Sequence, residues 1–423
     1  MGFRLPATIR QAAEWMRRFA RTTPGVLSGL VVATVALCLL AGFVGANQLS
    51  DKQHRRDALL ERTEPLADAA QSLYVALSAA DASAATAFLS GGIETPQVRM
   101  RYQQALADAA SALATATAGA GDEQTRKIVA RIAADLPAYT GLVETARANN
   151  RQGFPVGSAY LREASTLMQQ SLLVNAEALT KARFAAVREE QRAIGEPPRL
   201  TYLLLGLVLA ACAVGSYQLR QRTNRRVNIG IAAAAGATGL ALLWILTATL
   251  AANAAVPTGA SGASTRFETM ARSRILAQQA RADETLALIT RGDITNAENQ
   301  FNDHTNELRV RLQAGFAANS TAVETYSAWV AGHKRQVELY QASKVPEAVA
   351  QATGTGQDGS AGRFAKLDEQ LRAGITQTRG ELRAGAETAG HALLLSPAGT
   401  LALLVFAAAA VVAGVWPRLK EFL

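Results

Sequence analysis

Side chains able to do chemistry are few in this chain, and they do not gather. The four histidines, His54, His304, His333 and His391, are scattered, so no ligand set with metal spacing forms. Cys38 and Cys212 both sit inside apolar runs, which excludes an extracellular disulfide framework and a cysteine zinc site. The paired acids Asp368-Glu369 and Glu189-Glu190 read as solvated helix faces, because nothing indicates a pocket around them. The stretch Gly354-Thr-Gly-Gln-Asp-Gly359 lacks the lysine and the preceding strand of a phosphate loop. Arg291-Gly292-Asp293 spells an adhesion tripeptide, but it falls where one helix needs a closing glycine and the next an N-cap aspartate. His333 and Gln279 lie on helical seams, one reading as a core histidine and the other as a polar register-setter. The expectation is a chain that is not an enzyme, with no catalytic residue, cofactor or metal.

The elements around these residues are helical. In 423 residues, 18% are charged and 6% aromatic, and alanine is abundant. That profile suits long helices and membrane spans and fits a β-sandwich or barrel poorly. Four runs carry no charged residue and reach the roughly 20 residues that a bilayer requires. They are 25–46, 200–219, 227–255 and 393–416. Val44-Gly45-Ala46 resembles a signal-peptide cleavage site, but the apolar stretch before it is too long, so the first run reads as a retained anchor. The spans hold no Asp, Glu, Lys, Arg or His, which disfavours an ion-coupled transporter.

Charge fixes the expected orientation. Arg10, Arg17, Arg18 and Arg21 precede the first span, in a segment Leu5–Arg21 that reads as an amphipathic helix lying on anionic lipid or docking a partner. Arg220, Arg222, Arg225 and Arg226 fill the loop between the second and third spans with no acid among them. By the positive-inside rule, 1–24, 220–226 and 417–423 are cytosolic and 47–199 and 256–392 extracytoplasmic. Acids and bases balance in each outside region, so the net charge of +9 is a topology signal and argues against a nucleic-acid partner. The result is a multi-pass plasma-membrane protein with both termini inside.

Both outside regions show heptad seams. Leu66, Ala70, Leu73, Leu77, Ala80, Ala84 and Ala87 make the first, and Tyr102–Ala116, Val129–Ala146 and 158–191 supply three more helices. Asp122 is the expected N-cap of the third helix. The second region repeats the plan with Ile275–Ile289, Ala297–Leu312, Val323–Tyr340 and Phe364–Leu382, plus a short helix Pro346–Ala352. The predicted fold class is therefore an all-α membrane protein: two span–bundle–span halves, each with an extracytoplasmic four-helix bundle. The first and last helices of the bundles are expected to continue into the spans, with Pro65 and Pro197-Pro198 as kinks or breaks. The distal turns are the expected partner contacts: Gly91, Gly92, Glu94, Arg151 and Phe154 in one bundle, and Arg291, Asp293 and Lys344 in the other. The eight arginines from Arg10 to Arg226 named above are the expected cytosolic contacts.

This layout resembles the four-helix-bundle sensor modules of bacterial chemoreceptors and histidine kinases, without a folded output domain after a span. Two stretches, Leu73–Gly92 and Ala282–Gly292, resemble the GlnX family of actinobacterial membrane proteins more closely. That resemblance implies a transmembrane signal transducer between an extracytoplasmic amino-acid-binding lipoprotein (GlnH-like) and a cytosolic Ser/Thr kinase (PknG-like), reporting aspartate and glutamate availability. It carries over no functional residue. The alternatives are an envelope scaffold with no switch and a direct small-molecule receptor. A homodimer is one arrangement such bundles adopt, although two fused halves could meet that geometry within one chain.

Overall fold

The computed structural model describes residues 23–90, 94–223, 228–255, 257, 262–290, 294–316 and 320–420. Among them every regular element is helical. In chain order these are α1 (Thr23–Ala58), α2 (Glu64–Leu89), α3 (Pro96–Ala118), α4 (Glu123–Arg151), α5 (Gly157–Leu167), α6 (Leu173–Gly195) and α7 (Arg199–Thr223). Then follow α8 (Ile229–Ala255), α9 (Ala263–Thr290), α10 (Thr295–Gly315), α11 (Thr321–Gln341), α12 (Val345–Thr353), α13 (Ser360–Leu393) and α14 (Ser396–Lys420). The chain forms two compact units. One gathers the described parts of Met1–Arg56, Arg192–Val256 and Gly385–Leu423; the other gathers Asp57–Gln191 and Pro257–Ala384.

The first unit holds four helices long and apolar enough to cross a membrane. Its interior is small and apolar, built from residues such as Cys38, Ala41, Leu205, Ala234, Ile245 and Ala407. Its outer surface is apolar as well: Val32, Phe43, Leu203, Leu243, Leu250 and Phe406 are all exposed. A patch of that extent on a water-soluble surface would aggregate, and lipid is the solvent that suits it. The small pair Ala410/Gly414 marks a real crossing. An added Cβ at Gly230 would lie 2.4 Å from the Ala410 carbonyl oxygen and from Gly414 Cα, so α8 and α14 touch through backbone. Asn228 fastens the same point. Its Nδ2 donates to the Gly414 carbonyl at 2.8 Å while its Oδ1 accepts from Gly230 N at 2.9 Å as the cap of α8. Among the glycines that sit four residues from another small residue in these spans, Gly215 packs against Leu30, 3.0 Å from an added Cβ, whereas Gly206, Gly236 and Gly239 face open space.

One helix end organises the others. Lys52, buried, donates through Nζ to the carbonyls of Ile194, at 2.8 Å, and of Glu196. Gln53 Nε2 donates to the carbonyls of Leu393 at 2.8 Å and Leu394 at 3.2 Å. These are carbonyls orphaned where α6 stops before Pro197-Pro198 and where α13 stops. Burial pulls the Lys52 ammonium down to about 8, with Glu196 opposing it. Gly45 is buried in an unbroken helix between Thr201 and Thr400, each about as close as a Cβ could come.

The two proline sites expected as kinks or breaks behave differently, and two further helices also stop. α1 passes into α2 through a π-turn, Leu59–Thr63, without a break. Pro65 explains the turn: its ring has no N–H for the preceding carbonyl ladder, and a wide turn absorbs the misfit. The other three stop. α6 and α7 are parted by Glu196–Pro198, α13 and α14 by Leu394-Leu395, and α8 ends at Ala255 before α9 begins at Ala263.

In the second unit the two regions that lie between the apolar runs do not separate into two modules. The seam Leu66–Ala87 is buried throughout, as its spacing predicts. Yet α2 is buried on other faces too, at Ala69, Val75 and Ala76, because α9 packs along it. Ile275 and Ile289 of α9 join the core of the first region. Phe184 and Phe267 meet edge to face at 4.8 Å. A second core surrounds the fully buried Trp329, with Phe301, Leu308, Leu367 and Leu371. The inner helices α2 and α9 thus share one interior. Asp122 caps α4 as expected, its Oδ1 accepting from Thr125 N at 2.8 Å.

Gly230→Ala is expected to lower the melting temperature of the purified chain, by the equivalent of about 1–3 kcal/mol. Thermal unfolding in detergent measures it, and an unchanged transition would mean that α8 and α14 do not cross at this glycine.

Candidate functional site

Of the expected extracytoplasmic contacts, Glu94, Arg151, Phe154 and Lys344 are among the described residues, and they lie towards one end of the second unit. Leu89, at the end of α2, packs with Leu339, Tyr340 and Val349 around Leu288, Ala348 and Ala352. The turns that follow Leu89 and Tyr340 therefore start side by side. Arg151, Phe154 and Lys344 are exposed there. Glu94 is not a free contact. It is half-buried against Arg147, Oε2 to Nε 2.9 Å, and Arg147 also lies over the Tyr102 ring. A water-sized cavity of about 30 Å³ opens beside this pair, lined also by Phe88, Asn150 and Arg151. Gly91, Gly92, Arg291 and Asp293 lie outside the described residues, as do Arg10, Arg17, Arg18, Arg21, Arg225 and Arg226. Arg220 is exposed near the end of α7, and the backbone of Arg222 belongs to the same helix.

Behind that end, each inner helix buries a carboxylate about two turns before its C-terminus. In α2 it is Asp81, accepting from Ser165 Oγ at 3.0 Å and Tyr139 OH at 3.3 Å. Burial dominates, and pushes its carboxyl up to about 6 despite these hydrogen bonds. In α9 it is Glu284, fully buried. It accepts from Arg281, from Ser360 and from Trp329 Nε1 at 3.1 Å. Burial would raise it, but Arg281, His333 and Ser360 outweigh that and hold it down near 2. Arg281 Nη2 also donates to the Ala352 carbonyl at 3.0 Å, tying α12 to the same cluster.

His333 is the buried seam histidine that its spacing predicts. It stacks on Phe301 with ring centroids 3.6 Å apart, and its Nε2 lies 3.0 Å from Glu298 Oε1. Burial lowers its basicity, while Glu284 and Glu298 raise it further, for a net value of about 9. The loop Gly354–Gly359 is glycine-rich for packing. An added Cβ at Gly359 would lie 2.1 Å from the Gly354 carbonyl oxygen. Gln279 lies beside the Tyr74 hydroxyl across the α2–α9 contact.

Charges join the two regions. Glu64, with no solvent exposure, accepts from Arg379 and from Arg383, whose Nη2 is 2.6 Å away. Arg379 Nη1 also reaches Asp68 Oδ2 at 2.9 Å. Glu177 pairs with Arg272, and Arg188 with Glu268. Asp368, expected to be solvated, instead takes both hydrogen bonds of Arg274, at 2.8 and 2.9 Å, and one from Gln278 at 3.0 Å. Glu369 is exposed. None of these pairs belongs to the residues expected from the sequence. The signal that could have found them is the matched spacing of Glu64/Asp68 and Arg379/Arg383, each a pair on one helix face four residues apart. Among the described residues no group of histidine, cysteine and carboxylate side chains could hold a metal ion.

Two substitutions separate the buried carboxylates. Glu284→Gln is expected to destabilise by about 3–5 kcal/mol, since it leaves Arg281 and His333 buried without their anion. Asp81→Asn is expected to cost about 1 kcal/mol or less at pH 7, because Asp81 there bears a charge that its surroundings disfavour; chemical denaturation compares them. A second expectation concerns pH. His333 faces Glu284 and Arg281 from α9 and Glu298 from α10, with Asp283 nearby. Its raised value means that folding takes up a proton. The resulting stabilisation is complete below about 6.5 and is lost as pH climbs through about 9. His333→Gln is therefore expected to flatten the fall in melting temperature across that window, and an identical slope in both proteins would refute it.

Residues 55–192 match the family described as an actinobacterial sensor domain. No curated protein and no solved structure matches the chain.

Proposed function

We propose that the chain is a non-enzymatic transmembrane signal transducer of the kind that the GlnX resemblance implies. A GlnH-like binding lipoprotein, loaded with aspartate or glutamate, docks on the exposed turns around Arg151, Phe154 and Lys344. Docking favours one of two arrangements of the helices, and the change reaches the cytosolic arginines, where a PknG-like Ser/Thr kinase or its equivalent reads it. The termini and the 220–226 loop are cytosolic in this reading, and the sensor unit is extracytoplasmic.

The match of residues 55–192 to a sensor domain supports the sensing role. The observation that carries the mechanism is the unbroken α1–π-turn–α2 helix, which bears Glu64 directly after the π-turn and Asp68 one turn on. A shift of the second region felt at Arg379 or Arg383 is a force on that helix. The partner must bind the two arrangements with different affinity, and about 1–3 kcal/mol is a usual coupling.

The test uses the full chain in its native membrane. Arg222/Arg225/Arg226→Ala combined with deletion of 1–21 is expected to abolish the kinase response and leave lipoprotein capture intact. Unchanged kinase output in that variant would sink the proposal. So would reporter fusions that place residue 120 or 320 in the cytosol.

A further inference from the structure

Within the sensor unit a groove of about 740 Å³ runs between α2 and α3 of the first region and α9 and α13 of the second. That volume falls in the range of small-molecule sites. Its floor is made of small side chains, among them Ala69, Ser72, Ala76 and Ala79 of α2 and Ala105 and Ala112 of α3. Larger residues there would fill the space. The rim carries four arginines and three aspartates.

These charges are not equivalent. Arg274 is committed to Asp368 through both of its hydrogen bonds, and Arg379 to Glu64 and Asp68. Asp108 accepts from Gln104 Nε2 at 2.8 Å. Arg101 on α3 has no acidic partner among the described residues, and Arg372 on α13 has only Glu369, 4.0 Å away and exposed. The two regions thus each present one uncommitted guanidinium to the same groove. A guanidinium is the group that matches a carboxylate with two parallel hydrogen bonds.

We infer that the groove between α2, α3, α9 and α13 binds a small dicarboxylate directly, one carboxylate on Arg101 and the other on Arg372. Such a ligand bridges the two regions of the sensor unit and stabilises whichever arrangement brings those arginines to the right separation. The remaining volume holds water between the ligand's chain and the alanine-serine floor. This site is separate from the docking turns. A chain that captures no lipoprotein could still bind the anion, and the reverse also holds.

The test is titration calorimetry and thermal unfolding of the purified full chain in detergent, with succinate as probe and acetate as its monocarboxylate control. Succinate is expected to raise the melting temperature in a saturable way that weakens with salt. Acetate is expected to bind about tenfold more weakly or worse, and Arg101→Gln and Arg372→Gln are each expected to weaken succinate by about tenfold. Both arginines are exposed, so these variants should fold; Arg335→Gln, exposed and away from the groove, is the control expected to change nothing. The inference is overturned if succinate has no effect on the folded wild type, if acetate matches it, or if the double variant binds as well as the wild type. The experiment contains no partner protein, so its failure is distinct from a failure of lipoprotein capture.

Discussion

The burial of Glu64 is the constraint on which the second unit depends. A carboxylate with no solvent exposure holds its charge only if opposite charge reaches it, and Arg379 and Arg383 come from the far end of the sequence to do so. That requirement fixes the register of α2 against α13. It also fixes the position of Asp68 one turn on, and through Arg379 the edge of the groove. The pairs Glu177–Arg272 and Arg188–Glu268 repeat the arrangement on the opposite side of α9. Hydrophobic contacts between α2 and α9 supply the adhesion, while the charges select a single way of making it.

The two regions of the second unit are joined through shared cores and ion pairs. The match to the sensor-domain family covers residues 55–192 alone. The region 257–384 has the same order of helices and an additional short one, α12, held by Arg281. The buried carboxylates differ in kind: Asp81 sits among neutral donors, whereas Glu284 sits among cations. One half therefore has a carboxylate whose charge its surroundings disfavour, and the other a carboxylate whose charge its surroundings require.

The periodicity of the sequence made the helices legible. The seam Leu66–Ala87 is buried at every position, Asp122 caps where its type and place require, and the short helix expected at Pro346–Ala352 spans Val345–Thr353. The four apolar runs correspond to four helices able to span a bilayer. Periodicity reports one face of a helix, so it could not show that α2 and α9 have second and third faces turned towards each other. Alanine and serine on those faces carry little pattern. Nor does hydropathy indicate which charge is buried: Glu64, Glu284 and Lys52 look like surface residues until their partners, tens to hundreds of positions away, are known. The pairing of Glu94 with Arg147, 53 positions away, was hidden for the same reason.

The π-turn at Leu59–Thr63 has a bearing on descent. A π-turn is what remains when one residue is inserted into a helix whose flanks are each held in place. Removing one residue there would turn the helix on one side of it by about 100° relative to the helix on the other. Cousins of this chain that lack Pro65 should accordingly show a single-position gap near that turn when their sequences are compared, and that gap would mark the lineage in which the two ends of the helix were set independently.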